Sequence, residues 1–265
     1  MSSTLNYTAL AQRFEDAWET RERTQPLTVT DGLATIDDAY AVQSAWSALR
    51  EAKGERVLGR KIGLTSKAMQ EQAGFNEPDF GRLWESRYFP SEHGRVAIPA
   101  NLFLQPRLEG EIAFRLNHEL AGPEVTIEDV LAATDALAVS FEIVDSRFVR
   151  ENFRVLDTIA DNASYGAFTL GAWGTDWLEG DLRDIRMTME RHGEVVVEGT
   201  GADSLGHPAN AVAWLANTLA SYDVRLQPGE VLLSGSLGRA IAVEPGDVFT
   251  VRMDDREPLT IEFTT

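Results

Sequence analysis

Two segments of the chain, residues 107–114 and 140–145, read RLEGEIAF and SFEIVD. Both have the short apolar pattern of β-strands, and side chains two positions apart on a strand point to the same face. Glu109 and Glu111 therefore share a face, and Glu142 lies within the second apolar run. Carboxylates on an apolar strand repel one another and lose hydration, so a positive group is expected between them. Three carboxylates facing one point would form an all-oxygen site suited to Mg²⁺ or Mn²⁺.

The alternative interpretation of these glutamates is a solvated strand face. The chain has 42 acidic residues, so a Glu-x-Glu pattern arises close to chance frequency. A solvated face would carry polar residues along its length, whereas Ile112, Phe114 and Leu116 indicate burial. These neighbours favour the metal site, and the spacing alone leaves both interpretations open.

Composition excludes several classes of protein. A chain of 265 residues with 43% hydrophobic residues can bury a sizeable core. Its net charge of −18 argues against nucleic acids and anionic membranes as partners. The sequence contains no cysteine, which excludes disulfides, thiolate metal sites and thiol catalysis. We see no secretory signal and no stretch long enough to span a membrane, so the sequence predicts a soluble cytoplasmic protein.

Apolar periodicity predicts a helical N-terminal region, residues 1–75, followed by a β-rich domain, residues 76–265. Two helices are predicted before residue 54, the second starting at Thr35, and a short helix is predicted from Ser66 to Ala73. Later helices are predicted from Thr126 to about Ala138 and after Pro208. The predicted strands cover 94–98, 108–116, 139–146, 166–171, 185–191, 194–198, 230–234, 247–253 and 259–263. Strands and helices do not alternate, which favours an α+β domain with a rolled β core over a doubly wound parallel sheet.

Seven further segments, taken in order, resemble one known family. Each has an ordinary interpretation by itself, because Lys61 can be a solvated lysine and Asp79 a turn cap. Together they resemble the 2-keto-4-pentenoate hydratase family of the fumarylacetoacetate hydrolase superfamily, which also contains the 4-oxalocrotonate decarboxylases. The segments are GRKIGLT (59–65), PDFG (78–81), QPRLEGEIA (105–113), EIVDSR (142–147), DTIADNAS (157–164), GHPANA (206–211) and LSGSLG (233–238).

The resemblance implies a fumarylacetoacetate-hydrolase-like fold, with a mixed β roll or sandwich core and a helical N-terminal region. It implies a Mg²⁺- or Mn²⁺-dependent enzyme that acts on small 2-hydroxydienoates or 2-oxoenoates from aromatic or steroid breakdown. The enzyme would be a homo-oligomer that can associate with a partner enzyme of its pathway. By position, the metal ligands would be Glu109, Glu111 and Glu142, the acid–base groups Lys61 and Asp79, and the substrate-binding residues Leu64, Ser164 and Ser236.

The implied reaction is the hydration of 2-hydroxypenta-2,4-dienoate to 4-hydroxy-2-oxopentanoate. Negative charge gathers on the 2-oxygen during this reaction, where a bound metal would stabilise it. Proton delivery requires a carboxyl or an amine, and a desolvated Lys61 beside a cation is expected to have a lowered pKa. No covalent nucleophile is needed.

Three alternatives remain open. A decarboxylase would use the same metal chemistry but must also accept a second carboxylate, for which the arginine-rich segment 147–154 is a candidate. An inactive scaffold for a partner enzyme would not need buried carboxylates, which destabilise a protein when unpaired. A hydrolase that cleaves carbon–carbon bonds is expected to have a histidine beside its metal. Tyr165 stands where family members often have a small residue, so it either reshapes the pocket or faces away from it.

Overall fold

The computed structural model describes residues 5–67, 70–71, 74–149 and 151–265. The chain begins with helices α1 (Tyr7–Thr20), α2 (Leu27–Thr30) and α3 (Ile36–Ala52). Strands then predominate, and three later helices interrupt them within the described ranges: α4 (Ile127–Ala132), α5 (Val155–Ala160) and α6 (Pro208–Ala220). The strands are β1 (Val57–Gly63), β2 (Asp79–Trp84), β3 (Arg95–Pro99), β4 (Arg107–Leu116), β5 (Thr134–Val144), β6 (Tyr165–Leu170), β7 (Arg186–Arg191), β8 (Glu194–Thr200), β9 (Val231–Leu233), β10 (Ile241–Ala242), β11 (Val248–Met253) and β12 (Leu259–Thr264).

Two mixed sheets form the β core. The larger sheet has the order β2-β1-β9-β4-β5-β6, with β10 also paired to β4, and the smaller sheet has the order β3-β12-β11-β7-β8. Strand β5 of the larger sheet contacts β11 and β12 of the smaller one, so apolar side chains of both sheets share one core. This arrangement confirms the predicted α+β class with a β roll or sandwich core.

Most strand predictions agree with the structure to within a few residues. The predicted strand 108–116 is β4, and 259–263 is β12. The predicted hairpin turn between β7 and β8 is present, with left-handed φ angles of 53° at His192 and 85° at Gly193. His207 begins α6 as its N-cap, where its Nδ1 accepts a hydrogen bond from the N–H of Ala209 at 3.0 Å. It is therefore a structural histidine, as expected from its place before Pro208.

Two predictions of local structure were wrong. The helix predicted from Thr126 to about Ala138 ends at Ala132, and Thr134 already belongs to β5. Pairing of this part of β5 with β4 in a largely buried position overrides the helical preference of the segment. The PDFG segment, interpreted as a turn, enters strand β2 at Asp79. No local structure was predicted for GRKIGLT, which mostly forms β1.

The larger sheet draws on both sides of the predicted boundary at residue 75. Strand β1 lies before that boundary, pairs antiparallel with β2 and runs parallel to β9. The division at residue 75 into two independent units stays a prediction. The short helix predicted from Ser66 to Ala73 falls in part outside the described residues.

An aromatic cluster attaches the N-terminal helices to the sheet. Helices α1 and α3 pack together, and Phe14 and Trp18 of α1 contact Trp46 of α3. Trp46 in turn contacts Trp84 of β2 with ring centroids 4.8 Å apart. The guanidinium of Arg50 lies 4.5 Å from the Trp18 ring and 4.4 Å from the Trp84 ring.

Across the described ranges, none of the helices combines the length and the apolar character of a membrane span.

Replacement of Gly110 with valine tests the close approach of the two sheets. A Cβ at this position of β4 would lie 3.2 Å from Val251 Cγ2 and 3.4 Å from Met187 Sδ. The further methyl groups of valine would overpack the core, so we expect Gly110→Val to lower the free energy of unfolding by about 1–3 kcal/mol, measured by urea denaturation. Gly180→Val is the control, because its Cβ would meet nothing closer than 4.0 Å. Equal effects of both variants would contradict this packing.

Candidate active site

Strands β4 and β5 place three glutamates at one point. Glu109 and Glu142 are direct partners across the antiparallel pair, and Glu111 follows two positions later on the same face. One carboxylate oxygen from each of the three lies within 4.8 Å of the others, and all three side chains are buried. The structure therefore brings together the trio that the sequence singled out, and their role as metal ligands stays a prediction.

The free oxygens of this trio fit a divalent cation. Glu111 Oε2 accepts a hydrogen bond from the N–H of Gly235 at 2.8 Å. Glu111 Oε1 and Glu142 Oε2 are buried without a hydrogen-bond partner among the described residues, while Glu142 Oε1 lies 3.1 Å from Lys61 Nζ. Buried polar atoms are costly when unpaired, and hard oxygen donors are the preferred ligands of Mg²⁺ and Mn²⁺. The donor set therefore suits a hard divalent ion.

Lys61 and Asp79 lie beside the trio on the paired strands β1 and β2. Lys61 Nζ is 3.1 Å from Glu142 Oε1, and both side chains are almost fully buried. Gly63, the strand partner of Asp79, leaves the space that the two side chains occupy. A Cβ on Gly63 would lie 2.2 Å from Asp79 Oδ1 and 3.3 Å from Lys61 Nζ. The glycine is required here because of this close approach.

Burial and mutual repulsion disturb the protonation of the whole cluster. Burial, followed by the charge of Glu142, raises the pKa of Glu109 to about 7. Burial likewise raises the pKa of Glu111, Glu142 and Asp79. Burial by itself would lower the pKa of Lys61, but the surrounding carboxylates, above all Glu142, raise it instead. Without a metal the pKa of Lys61 is therefore raised, because carboxylates outnumber the single ammonium, and the lowering expected beside a bound cation stays a prediction.

A cavity of about 440 Å³ opens over the cluster. Its lining includes Lys61, Asp79 and Glu109, while Glu111 and Glu142 lie fully buried beside them. The candidate substrate-binding residues also line it, namely Leu64, Ser164 and Ser236. The structure thus places the predicted acid–base and substrate-binding residues around one space large enough for a small organic acid.

Left-handed backbone conformations concentrate at the wall of this cavity. Leu64 has a φ of 55°, and three consecutive residues, Asn162, Ala163 and Ser164, have φ angles of 52°, 50° and 55°. Such angles are unfavourable for residues other than glycine and persist only where the surroundings enforce them. Strained backbone of this kind is common at binding and catalytic sites.

Further lining residues were not predicted individually as site residues. Gln105 and Arg107 lie in a quoted motif, whereas Phe153 and Arg154 lie in the arginine-rich segment that was a candidate for binding a second carboxylate. The sequence could have indicated these residues only through their position next to the motifs. Only the fold shows that they face the cavity. Tyr165 faces away from this space, because its buried hydroxyl lies 3.2 Å from the carbonyl oxygen of Trp84.

Comparison with known proteins supports one family assignment. Residues 63–262 match the family model described as fumarylacetoacetate (FAA) hydrolase C-terminal. The chain is 44% identical to a 2-hydroxyhexa-2,4-dienoate hydratase from Comamonas testosteroni, over 96% of each chain. It is 41% identical to a 2-keto-4-pentenoate hydratase from Paraburkholderia xenovorans, over 96% of this chain and 93% of the relative.

A solved structure is similar along almost the whole chain. It is the 4-oxalocrotonate decarboxylase from Pseudomonas putida G7 in complex with magnesium and adipate. The TM-score is 0.93 and the sequence identity 34%, with 98% of this chain and 99% of that chain covered.

The replacement of Gly63 by alanine tests the geometry of the Lys61–Asp79 pair. The added methyl group would displace Asp79 Oδ1, and a misplacement of about 1 Å at a reacting group can lower a rate by about 10²-fold. We expect Gly63→Ala to lower kcat by about this factor while the melting temperature changes little. Gly171→Ala is the matched control, because its Cβ would make ordinary contacts, the nearest at 3.5 Å. A fully active Gly63→Ala enzyme would contradict the arrangement.

Metal binding at the trio is expected to depend on pH. Carboxylates must lose their protons to bind a cation, and the pKa of Glu109 is raised to about 7. The stabilisation by Mg²⁺ should therefore grow as the pH rises from 5 to 8, reaching about 2.7 kcal/mol at an ion concentration of 100 times Kd. Thermal unfolding with and without Mg²⁺ measures this effect. A shift that is independent of pH, or unchanged in Glu111→Gln, would place the ion elsewhere.

Proposed function

The chain belongs to the fumarylacetoacetate hydrolase family, and we propose that it is a metal-dependent hydratase of 2-hydroxydienoates. The reaction would add water to 2-hydroxypenta-2,4-dienoate, or a close analogue, to give a 4-hydroxy-2-oxo acid. The observation that carries this proposal is the buried trio of carboxylates below a cavity that also contains Lys61 and Asp79. Relatives that are more than 40% identical over nearly the whole chain are named as hydratases of such dienoates.

Glu109, Glu111 and Glu142 would hold Mg²⁺ or Mn²⁺. When bound, the ion supplies Lewis-acid stabilisation of the negative charge that develops on the 2-oxygen of the substrate. The protein prepares this site by excluding water from three carboxylates and by fixing Glu111 through the N–H of Gly235. A relative with the same fold along almost its whole chain was solved with magnesium, which supports the choice of metal.

Lys61 and Asp79 would perform the proton transfers. Hydration requires a proton at the far carbon of the dienoate and removal of a proton from the water that attacks C4. Both side chains reach the cavity from adjacent strands, and burial raises the pKa of Asp79 above its ordinary value, which favours its protonated form. Leu64, Ser164 and Ser236 would orient the substrate from the opposite walls.

Two arginines favour a second candidate function, a 4-oxalocrotonate-type decarboxylase. Arg107 and Arg154 line the cavity, and Arg107 also donates a hydrogen bond to the carbonyl oxygen of Ala240 at 2.7 Å. A cationic rim can accept the second carboxylate that such a substrate carries. The similar solved structure is a decarboxylase with a bound dicarboxylate, adipate.

The cellular setting is also proposed from the family resemblance. We place the enzyme in the cytoplasm, in the breakdown of aromatic compounds, as a homo-oligomer that can associate with a pathway partner. The catalytic unit would be residues 76–265 with the helical region 1–75 attached, and the family match over 63–262 supports a boundary in this area. An inactive scaffold is the less favoured alternative, because scaffolding does not need buried unpaired carboxylates.

The decisive experiment is an ultraviolet assay with enzymatically generated 2-hydroxypenta-2,4-dienoate. We expect a Mg²⁺-dependent loss of dienol absorbance, with 4-hydroxy-2-oxopentanoate as the product. Glu111→Gln should lower kcat/KM by at least about 10³-fold, because one carboxylate of the site is lost. Glu198→Gln, on the exposed side of β8, is the matched control.

Other outcomes of this assay separate the alternatives. Release of CO₂ from 2-oxo-3-hexenedioate without hydration of the dienoate would identify the decarboxylase. Absence of turnover of either compound, together with a melting temperature that Mg²⁺ does not change, would favour the scaffold.

A further inference from the structure

The wall of the cavity contains a turn that is strained along its whole length. Asn162, Ala163 and Ser164 all adopt left-handed backbone angles, although none is a glycine. Consecutive left-handed residues are unfavourable because each Cβ crowds the following carbonyl. Ala163 and Ser164 nevertheless form part of the cavity lining, so the position of that wall depends on whatever enforces this turn.

Arg147 spans the turn from behind. Its guanidinium donates to the carbonyl oxygen of Asp161 at 2.7 Å and to that of Tyr165 at 2.6 Å, the residues that flank the turn on either side. Its Nε donates to Asp161 Oδ1 at 2.5 Å, and its backbone N–H donates to Asp161 Oδ2 at 3.0 Å. One buried side chain therefore fixes both ends of the left-handed segment.

Other contacts complete the restraint. The side chain of Asn162 accepts a hydrogen bond from the N–H of Arg82 at 2.7 Å and donates to the carbonyl of Arg82 at 2.9 Å. These bonds tie the outer edge of the turn to β2, next to the strand that carries Lys61. Arg147 supplies the inner restraint, and its fork of donors cannot be replaced by the single ammonium of lysine.

Helices α1 and α3 in the N-terminal region contact the side chain of Arg147. Its guanidinium carbon lies 5.2 Å from the centre of the Trp46 ring and 5.6 Å from that of Trp18. Both tryptophans belong to α1 and α3, which precede the family match over residues 63–262. Cation–π contacts of this kind orient a guanidinium that is 1% exposed.

We propose that Arg147 is a positioning residue for catalysis. It holds the left-handed turn 162–164 in the shape that presents Ser164 to the substrate, and the helices α1 and α3 act on the active site through it. This inference rests on the proposed function where it is tested by enzyme activity. The test by protein stability depends only on the geometry of the turn.

The test is a double-mutant cycle between Arg147→Lys and Ala163→Gly. The guanidinium of Arg147 makes three hydrogen bonds at the turn, and the single ammonium of lysine is expected to keep only one of them. We therefore expect kcat/KM for 2-hydroxypenta-2,4-dienoate to fall by about 10- to 100-fold, mainly in kcat. Glycine at position 163 favours the left-handed angle without the help of Arg147. The gain from Ala163→Gly in the lysine background should exceed its effect in the wild type by at least about fivefold.

Arg50→Lys is the matched control. Arg50 is also buried and lies on the same tryptophan cluster, but its salt bridges go to Glu15 and Glu55 and it does not contact the turn. We expect this variant to lower the melting temperature with little change in kcat/KM and with no coupling to Ala163→Gly.

The outcomes distinguish this inference from the proposed function. An active wild type whose Arg147→Lys defect is not relieved by Ala163→Gly would overturn the positioning role and leave the hydratase intact. A wild type inactive on dienoates would overturn the proposed function. In that case urea unfolding of the same four proteins still decides whether Arg147 enforces the turn, and additive effects on stability would refute it.

Discussion

The structure depends on an excess of buried negative charge. Four carboxyl groups, those of Glu109, Glu111, Glu142 and Asp79, share a nearly dry space with the single ammonium of Lys61. Burial raises the pKa of every carboxyl in it, and repulsion from neighbouring carboxylates adds to this shift for the three glutamates. A cation bound here would balance this charge, and β1, β2, β4 and β5 are aligned so that the charged groups meet where the cavity begins.

Several features remote from the charges serve to keep this space open and ordered. Glycine at position 63 leaves room for the Asp79 carboxylate, and the N–H of Gly235 fixes one oxygen of Glu111. The strained wall at 162–164 is restrained from two sides, by β2 and by Arg147. Helices α1 and α3 thereby contribute to the site, although neither provides a residue among the charged groups.

Most of the fold could be predicted from the sequence, because the strands are short, apolar and separated by turn residues. It failed where tertiary contacts overrode local preference. Residues 134–138 have a helical composition but pair with β4 in the larger sheet, and Leu137 also forms a bridge to Gly174. The segments at 59–65 and 78–81 contain glycine and proline typical of loops, yet β1 and β2 pair with each other and β1 also joins β9.

By itself, the sequence determined that Glu109 and Glu111 share a face, because the two-residue period of a strand requires it. Ordered motifs resembling one family further pointed to Glu142, Lys61, Asp79 and the residues of the pocket. Only the tertiary structure decided that β5 places Glu142 opposite Glu109 and that Lys61 reaches the trio across β9. It alone revealed the strained turn and its restraint by Arg147. Such contacts join residues far apart in the chain, and no local pattern encodes the pairing that brings them together.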